Sequence, residues 1–529
     1  MELLARSPMA GAALFNIRDF GARGDGHEKD TIAIQKAIDA CTEAGGGVVY
    51  CPPGTYVSGT LFLKDNVRLH LEIGATLLGS PDRADYIPIF SGPQWVLQFN
   101  YDQYLICARR ARNIAITGLG TIDGNGRAFF GPALPGRRVL SIPLWRPGPM
   151  ITFMECQDVT LQDVRLVDAP AYAVWPHGCE RVKIQGVTII NQRTGPNCDG
   201  IDPICCKDVR ISDCSISTGD DCIAVYGWTH FLAQPRPCED IVVTNCVLTS
   251  PCNGIRVGYT GDGRIRRCTF SNLVMFDTRT GISMVSTPVN PWRLAEEPEP
   301  AYGPTVEEIS FDHIRMQTRK PIDLWIDDAA RPPAGIRNVS ISHIDATLER
   351  GCYIGGGRRV PIEDVHLDDV RLRVNAAMPA PNGSPVPDPY PVYDWDTPGL
   401  PYGLFSRHAR GLELRHVEVL WERAGGGWQS AIRVEDAQGL DLVDAVVSQA
   451  PSQSTAPAIH LSNVNGARVQ SCRAAAGCGT FLGIDGPASA HIALMANDLR
   501  QARAACRLSE EVPAQALQQR ANILQSSGD

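Results

Sequence analysis

A short unit recurs along this chain and limits what it can fold into. A polar or glycine turn residue is followed by an apolar residue and then by alternation. Its copies start at Asn113, Asp158, Arg181, Asp208, Asp240, Glu308, Asn338, Asp364, Gly411 and Gly439. Successive copies stand roughly 23–32 residues apart, with wider gaps that can hold insertions. Short β-runs of period two, repeated at this interval, predict a parallel β-helix, an all-β fold. Each coil leaves its inward side chains for the next coil to cover, so one continuous core grows by stacking.

The two ends differ from the repeat. From Thr31 to Cys41 apolar residues fall at helical spacing, and Asp30 or Thr31 can cap that helix. A helix there would cover the unpaired edge of the first coil. Glu510–Leu524 is polar and helix-prone and is expected to form a terminal cap or tail. The expected organisation is a tail over 1–14 and one β-helix domain over 15–505, with its capping region at about 15–60. A C-terminal cap or tail follows over 506–529. Pro-rich stretches near 130–149, 287–304 and 376–401 read as loop insertions able to wall a groove.

The net charge of −9 carries no basic footprint, so no nucleic-acid partner is expected. No apolar run approaches the roughly 20 residues of a membrane span, so no membrane partner is expected either. The first residues lack a basic stretch followed by an apolar one, and a cytoplasmic location is expected. A leader absent from this chain would make that location periplasmic or extracellular. Of the 18 cysteines, several recur at matching repeat positions and read as buried free thiols. Neither Cys205-Cys206 nor Cys472/Cys478 has Cys-x-x-Cys spacing, so no metal or other cofactor is expected.

Chemistry concentrates in two acidic segments, Asn197-Cys198-Asp199-Gly200-Ile201-Asp202 and Thr218-Gly219-Asp220-Asp221-Cys222. They lie about one repeat apart, so stacking brings Asp199, Asp220 and Asp221 together. A single Asp-Gly or Asp-Asp turn is ordinary strand capping. Three carboxylates crowded on one surface point to a cation or a proton-transfer reaction. Asp202 is expected to support backbone.

These motifs resemble the polygalacturonase family of glycoside hydrolases, family 28. The resemblance extends to Phe20-Gly21-Ala22-Arg23-Gly24-Asp25-Gly26, to Pro52-Pro53-Gly54-Thr55-Tyr56, and to Ala173-Val174-Trp175-Pro176-His177. It implies a single-stranded right-handed parallel β-helix with an N-terminal capping helix, and an inverting glycosidase acting on a carbohydrate substrate. By resemblance Asp220 is the general acid, while Asp199 and Asp221 hold and deprotonate the attacking water.

The chain departs from that family where substrate is read. Asn253 in Cys252-Asn253-Gly254 stands where the family has histidine. Ser283-Met284-Val285 stands where it has Arg-Ile-Lys, the grip on a uronate carboxylate. Tyr226 stands where many relatives have lysine. A buried uronate needs a charge-assisted partner. The chain is therefore expected not to be a standard polygalacturonase. Asn253, Arg256, Tyr226, Trp228, His177 and Arg193 are the candidate substrate-binding residues: Arg256 as a displaced clamp, Tyr226 and Trp228, with Trp325, as stacking faces. Two other functions stay open on the same fold: a uronate lyase or epimerase, and a non-catalytic carbohydrate-binding β-helix.

Overall fold

The computed structural model describes residues 13–89, 102–135, 139–142, 145–229, 232–288, 302–378, 399–451 and 455–524. The chain divides into two compact units. One comprises Met1–Cys198 with Val209–Ser215; the other comprises Asp199–Asp208 with Ile216–Asp529. Both are built from parallel strand ladders, and the fold is the expected right-handed parallel β-helix.

In the first unit Gly47–Cys51, Val67–Leu71, Arg112–Gly118, Gln157–Gln162 and Glu180–Gln185 pair in succession. The register stacks Val49, Leu69, Ile116, Leu161 and Ile184, all buried. In the second unit an inward column runs through Phe270, Phe311, Ile341, Leu367, Leu414, Leu442, Val469 and Leu494. The Phe270 and Phe311 rings stack at 4.8 Å between centroids. Phe270→Ala is expected to lower stability by about 3–5 kcal/mol, measured as a shifted urea midpoint. No loss would mean that the column is not a continuous core.

The turn residue of the repeat has a definite conformation. Asn113, Asp158, Arg181, Asp208, Asp240, Glu308, Asn338, Asp364, Gly411 and Gly439 all take positive φ, between 51° and 71°. Glycine, Asn and Asp reach that region at least cost, which explains their frequency there.

The helix Thr31–Glu43 forms as expected and buries Ala33, Ile34, Ala37, Ile38 and Cys41. Its capping differs. The Asp30 carboxylate accepts from the Arg23 and Gly24 amides at 2.6 and 3.1 Å, and Thr31 Oγ1 accepts from the Gly59 amide at 2.9 Å. Neither side chain caps the helix; both tie it to neighbouring turns. The C-terminal expectation also changes. Leu517–Arg520 and Ile523–Leu524 are strands, paired with Ala490–Met495 and Asp498–Leu499. The open edge of the preceding coil outweighs local helix preference.

Every cysteine is a free thiol, and all but Cys506 are buried. Among the described residues no helix is long and apolar enough to cross a membrane. Within the Pro-rich stretches and the N-terminal tail, residues 1–12, 136–138, 143–144, 289–301 and 379–398 lie outside the described residues.

Candidate active site

The acidic cluster lies wholly in the second unit and is set by backbone hydrogen bonds. The Gly200 amide donates to Asp221 O at 2.9 Å, Ile201 N to Cys222 O at 3.0 Å, and Ala224 N to Ile201 O at 3.1 Å. Cys222 N donates to Asn253 O at 2.9 Å. The Asp220 carbonyl accepts from Thr218 Oγ1 at 2.6 Å and from Ser250 Oγ. These bonds lock the Asp199–Asp202 and Asp220–Ala224 segments together. Gly200 is required by close approach: a Cβ there would lie 2.3 Å from Cys222 O and 2.8 Å from Ile216 Cγ2. Gly200→Ala is expected to cost about 1–3 kcal/mol by overpacking, read as a lowered melting temperature. An unchanged melting temperature would contradict that close contact.

Asp199 and Asp221 are each 2% exposed, whereas Asp220 is partly open to solvent. Asp221 is heavily bonded. Asn253 Nδ2 donates to its Oδ1 at 2.5 Å, and Arg256 Nε donates to its Oδ2 at 2.5 Å. The Tyr226 hydroxyl reaches the same Oδ2 at 3.4 Å. Three donors, one of them a guanidinium, thus bond the Asp221 carboxylate. Burial, and then the Asp221 charge beside it, push the Asp220 carboxyl up to about 6. The Cys252 thiol and the guanidinia of Arg256 and Arg279 pull it the other way. One partly open acid with a raised pKa and one buried, donor-bonded carboxylate are therefore neighbours, the division that acid–base chemistry needs.

Asp202 departs from the expected backbone support. It is fully buried, and neither carboxyl oxygen has a hydrogen bond of good geometry. The nearby Ala224 amide is donated to Ile201 O instead. Burial first, then the charges of Asp221 and Asp220, raise its pKa well above the carboxylate range. The fold thus favours the protonated form of Asp202. Burial likewise raises the Cys252 thiol and the Tyr226 phenol, with further contributions from the acidic cluster.

The expected substrate-reading residues divide. Asn253 and Arg256 sit on Asp221. Ala224, Arg256 and Ser283 lie side by side in register. Tyr226 and Trp228 are not open stacking faces. They are buried and stacked on each other at 4.3 Å, and Trp228 Nε1 donates to Thr260 O at 3.0 Å. Trp325 is buried in an outer-face cluster with Val285, Tyr353, Leu400, Tyr402 and Phe405. His177 and Arg193 belong to the first unit. His177 is fully buried, with the Trp175 ring edge-on at 5.1 Å, and Arg193 is half-buried.

Reading the sequence missed two partners. Tyr259 places its ring 5.0 Å from the Arg256 guanidinium, and it follows Arg256 by three residues in the same strand, Asn253–Tyr259. In the first unit, buried Arg146 donates to Pro170 O at 2.8 Å, to Pro196 O, and to Asn197 Oδ1 at 3.2 Å. Its only sequence signal is an arginine in a Pro-rich stretch.

Asp220, Asp221 and Cys252 bring possible metal-ligand atoms within 4.8 Å of one another. The donor set suits a divalent cation poorly. Both Asp221 oxygens already accept bonds, one from a guanidinium, and the third group is a buried thiol with a raised pKa.

The pattern of glycosyl hydrolases family 28 matches residues 89–378, and that of rhamnogalacturonase A/epimerase, pectate lyase-like, matches residues 14–82. A probable polygalacturonase of Vitis vinifera is 30% identical over 276 residues, covering 50% of this chain and 55% of that protein. The chain thus spans about half the length of this relative. An exo-poly-alpha-D-galacturonosidase of Dickeya chrysanthemi is 41% identical over 120 residues, 21% of this chain and 20% of that protein. Among solved structures, the family 28 exopolygalacturonase of Yersinia enterocolitica aligns with a TM-score of 0.56 and 21% identity. That alignment covers 82% of this chain and 79% of that one. The hyperthermoactive exopolygalacturonase of Thermotoga maritima gives a TM-score of 0.53 and 22% identity, covering 70% and 89%. The family 28 pattern takes in more than half of the residues, including every member of the acidic cluster, and the chain belongs to glycosyl hydrolases family 28.

Proposed function

We propose that the protein hydrolyses an O-glycosidic bond of a pectin-type polysaccharide or oligosaccharide with inversion of the anomeric carbon. The observation that carries the reading is the split within the cluster: Asp220 partly open with its pKa raised to about 6, Asp221 buried and bonded by Arg256 and Asn253. Asp220 protonates the leaving oxygen. Asp221 and Asp199 hold a water and take its proton as it attacks from the opposite side. Inverting glycosidases hold acid and base roughly 6.5–9.5 Å apart. Asp220 and Asp221 bring oxygens within 4.8 Å of each other, so the inverting assignment rests on the resemblance and is decided by the anomer test below. Tyr226, Asn253 and Arg256 act on the water-activating pair rather than on the sugar.

Pectin-type substrates are supported by the relatives' names. A standard polygalacturonase reading is not supported by the residues. By the resemblance Ser283 and Val285 stand where the family has its uronate grip, and Arg256 is bonded to Asp221. The test is a screen of aryl glycosides and pectic oligosaccharides, with proton NMR of the first-formed anomer. Inverted configuration is expected. Retained configuration would sink the assignment of Asp199 and Asp221, and an unsaturated product would replace hydrolysis by elimination.

A further inference from the structure

A column of turn residues runs along the second unit: His313, His343, Asp369, His416 and Asp444. All are left-handed, with φ between 48° and 55°, and each follows a residue paired in register with its neighbour's. His313 and His343 stand one coil apart, in Thr305–Ile326 and Gly335–Leu348. Their rings stack at 4.4 Å between centroids, with 21° between the planes. Both aim Nδ1 at one carboxylate. His313 Nδ1 lies 2.6 Å from Asp312 Oδ2, and His343 Nδ1 lies 2.7 Å from Asp312 Oδ1. Ser342 Oγ donates to Asp312 Oδ1 at 2.8 Å and restrains the carboxylate's rotation. The three ligand atoms lie within 4.8 Å of one another, and both histidines are exposed.

Charge decides which species suits this cluster. Burial works against ionisation of Asp312, but the bonds from His343, His313 and Ser342 outweigh it and bring its pKa down to about 2. The bond to Asp312, and then the charges of Asp312, Asp369 and Asp368, raise the His343 pKa, so the cluster draws a cation. Two protons fill it badly, because two imidazolium rings stacked at 4.4 Å repel each other. One divalent ion supplies the same charge at a single point. Two imidazoles favour an ion of the zinc class over calcium or magnesium, which take oxygen ligands.

We propose that Asp312, His313 and His343 form a metal site for a divalent ion of the zinc class. Its ligands are both Nδ1 atoms and an Asp312 oxygen, with water in the fourth position. Each neutral imidazole then carries its proton on Nε2. The ion ties two successive coils together, and the site does not depend on the hydrolase reading.

The test is calorimetric titration of zinc chloride into the whole, tag-free chain at pH 8, where most imidazoles are neutral. The wild type is expected to bind zinc saturably. His313→Ala, His343→Ala and Asp312→Asn are each expected to weaken binding at least about tenfold. All three positions are at the surface, so the variants are expected to fold. His416→Ala, on the same column but outside the site, is expected to bind as the wild type does. Zinc is expected to raise the melting temperature of the wild type and not that of His343→Ala. Calcium chloride is expected to give no saturable heat. Absence of saturable zinc binding, wild-type affinity in His343→Ala, or an equal loss in His416→Ala overturns the site. Calcium binding as tight as zinc binding overturns the imidazole ligands and the proposal with them.

Discussion

Asp220→Asn is expected to abolish most of the hydrolysis and, at neutral pH, to make the protein more stable. Loss of a general acid costs about 10²–10⁴-fold in turnover. The stability effect follows from the raised pKa. The fold favours the protonated acid, so the contribution of Asp220 is full below its unfolded value of 3.8 and is lost as pH rises through about 6. Above that range the wild type holds an ionised carboxylate beside the Asp221 anion. The amide removes that repulsion at nearly constant volume. A gain on the order of 2–3 kcal/mol is expected near pH 8, shrinking to nothing near pH 4. Melting curves of both proteins at the two pH values measure it. The wild-type rate is expected to fall above about pH 6, as the acid loses its proton. A variant less stable than the wild type at both pH values would show that the carboxylate is supported rather than strained.

Much of this architecture is legible from the residues. The repeat's turn residues are left-handed in every copy because the sequence places Asn, Asp or Gly at most of them. Asp199, Asp220 and Asp221 meet because their spacing matches the coil and Gly200 allows the approach. What is not legible depends on partners distant in the chain. Tyr226 and Trp228 read as open aromatic faces, yet the nearest surface to each is the other. Asp202 reads as a carboxylate supporting backbone, and only its burial beside Asp221 and Asp220 raises its pKa well above the carboxylate range. Asp312, His313 and His343 belong to no motif. They meet only through the register of Thr305–Ile326 with Gly335–Leu348. Glu510–Leu524 has the composition of a helix, but an unpaired strand edge decides its structure.

Arg256 provides the second large effect, and it separates two ways a family 28 site can use an arginine. The guanidinium lies 2.5 Å from Asp221 Oδ2, its side chain is 15% exposed, and Tyr259 covers it from 5.0 Å. Arg256→Ala leaves a buried carboxylate without its counter-charge and is expected to cost about 3–5 kcal/mol of stability. Because that variant can fail to fold, Arg256→Lys is the informative change. Lysine keeps the charge but loses the planar fork and the stacking on Tyr259. If Arg256 positions Asp221, as the geometry supports, kcat falls about 10²-fold on every substrate while KM stays nearly constant, because the water-activating carboxylate is displaced. If it instead grips a substrate carboxylate, KM rises for uronate substrates alone and kcat survives. Steady-state kinetics of the variant on one uronate and one neutral substrate distinguish the two outcomes. A selective rise in KM would return Arg256 to the role of a displaced clamp, and the reaction with it to polygalacturonate hydrolysis.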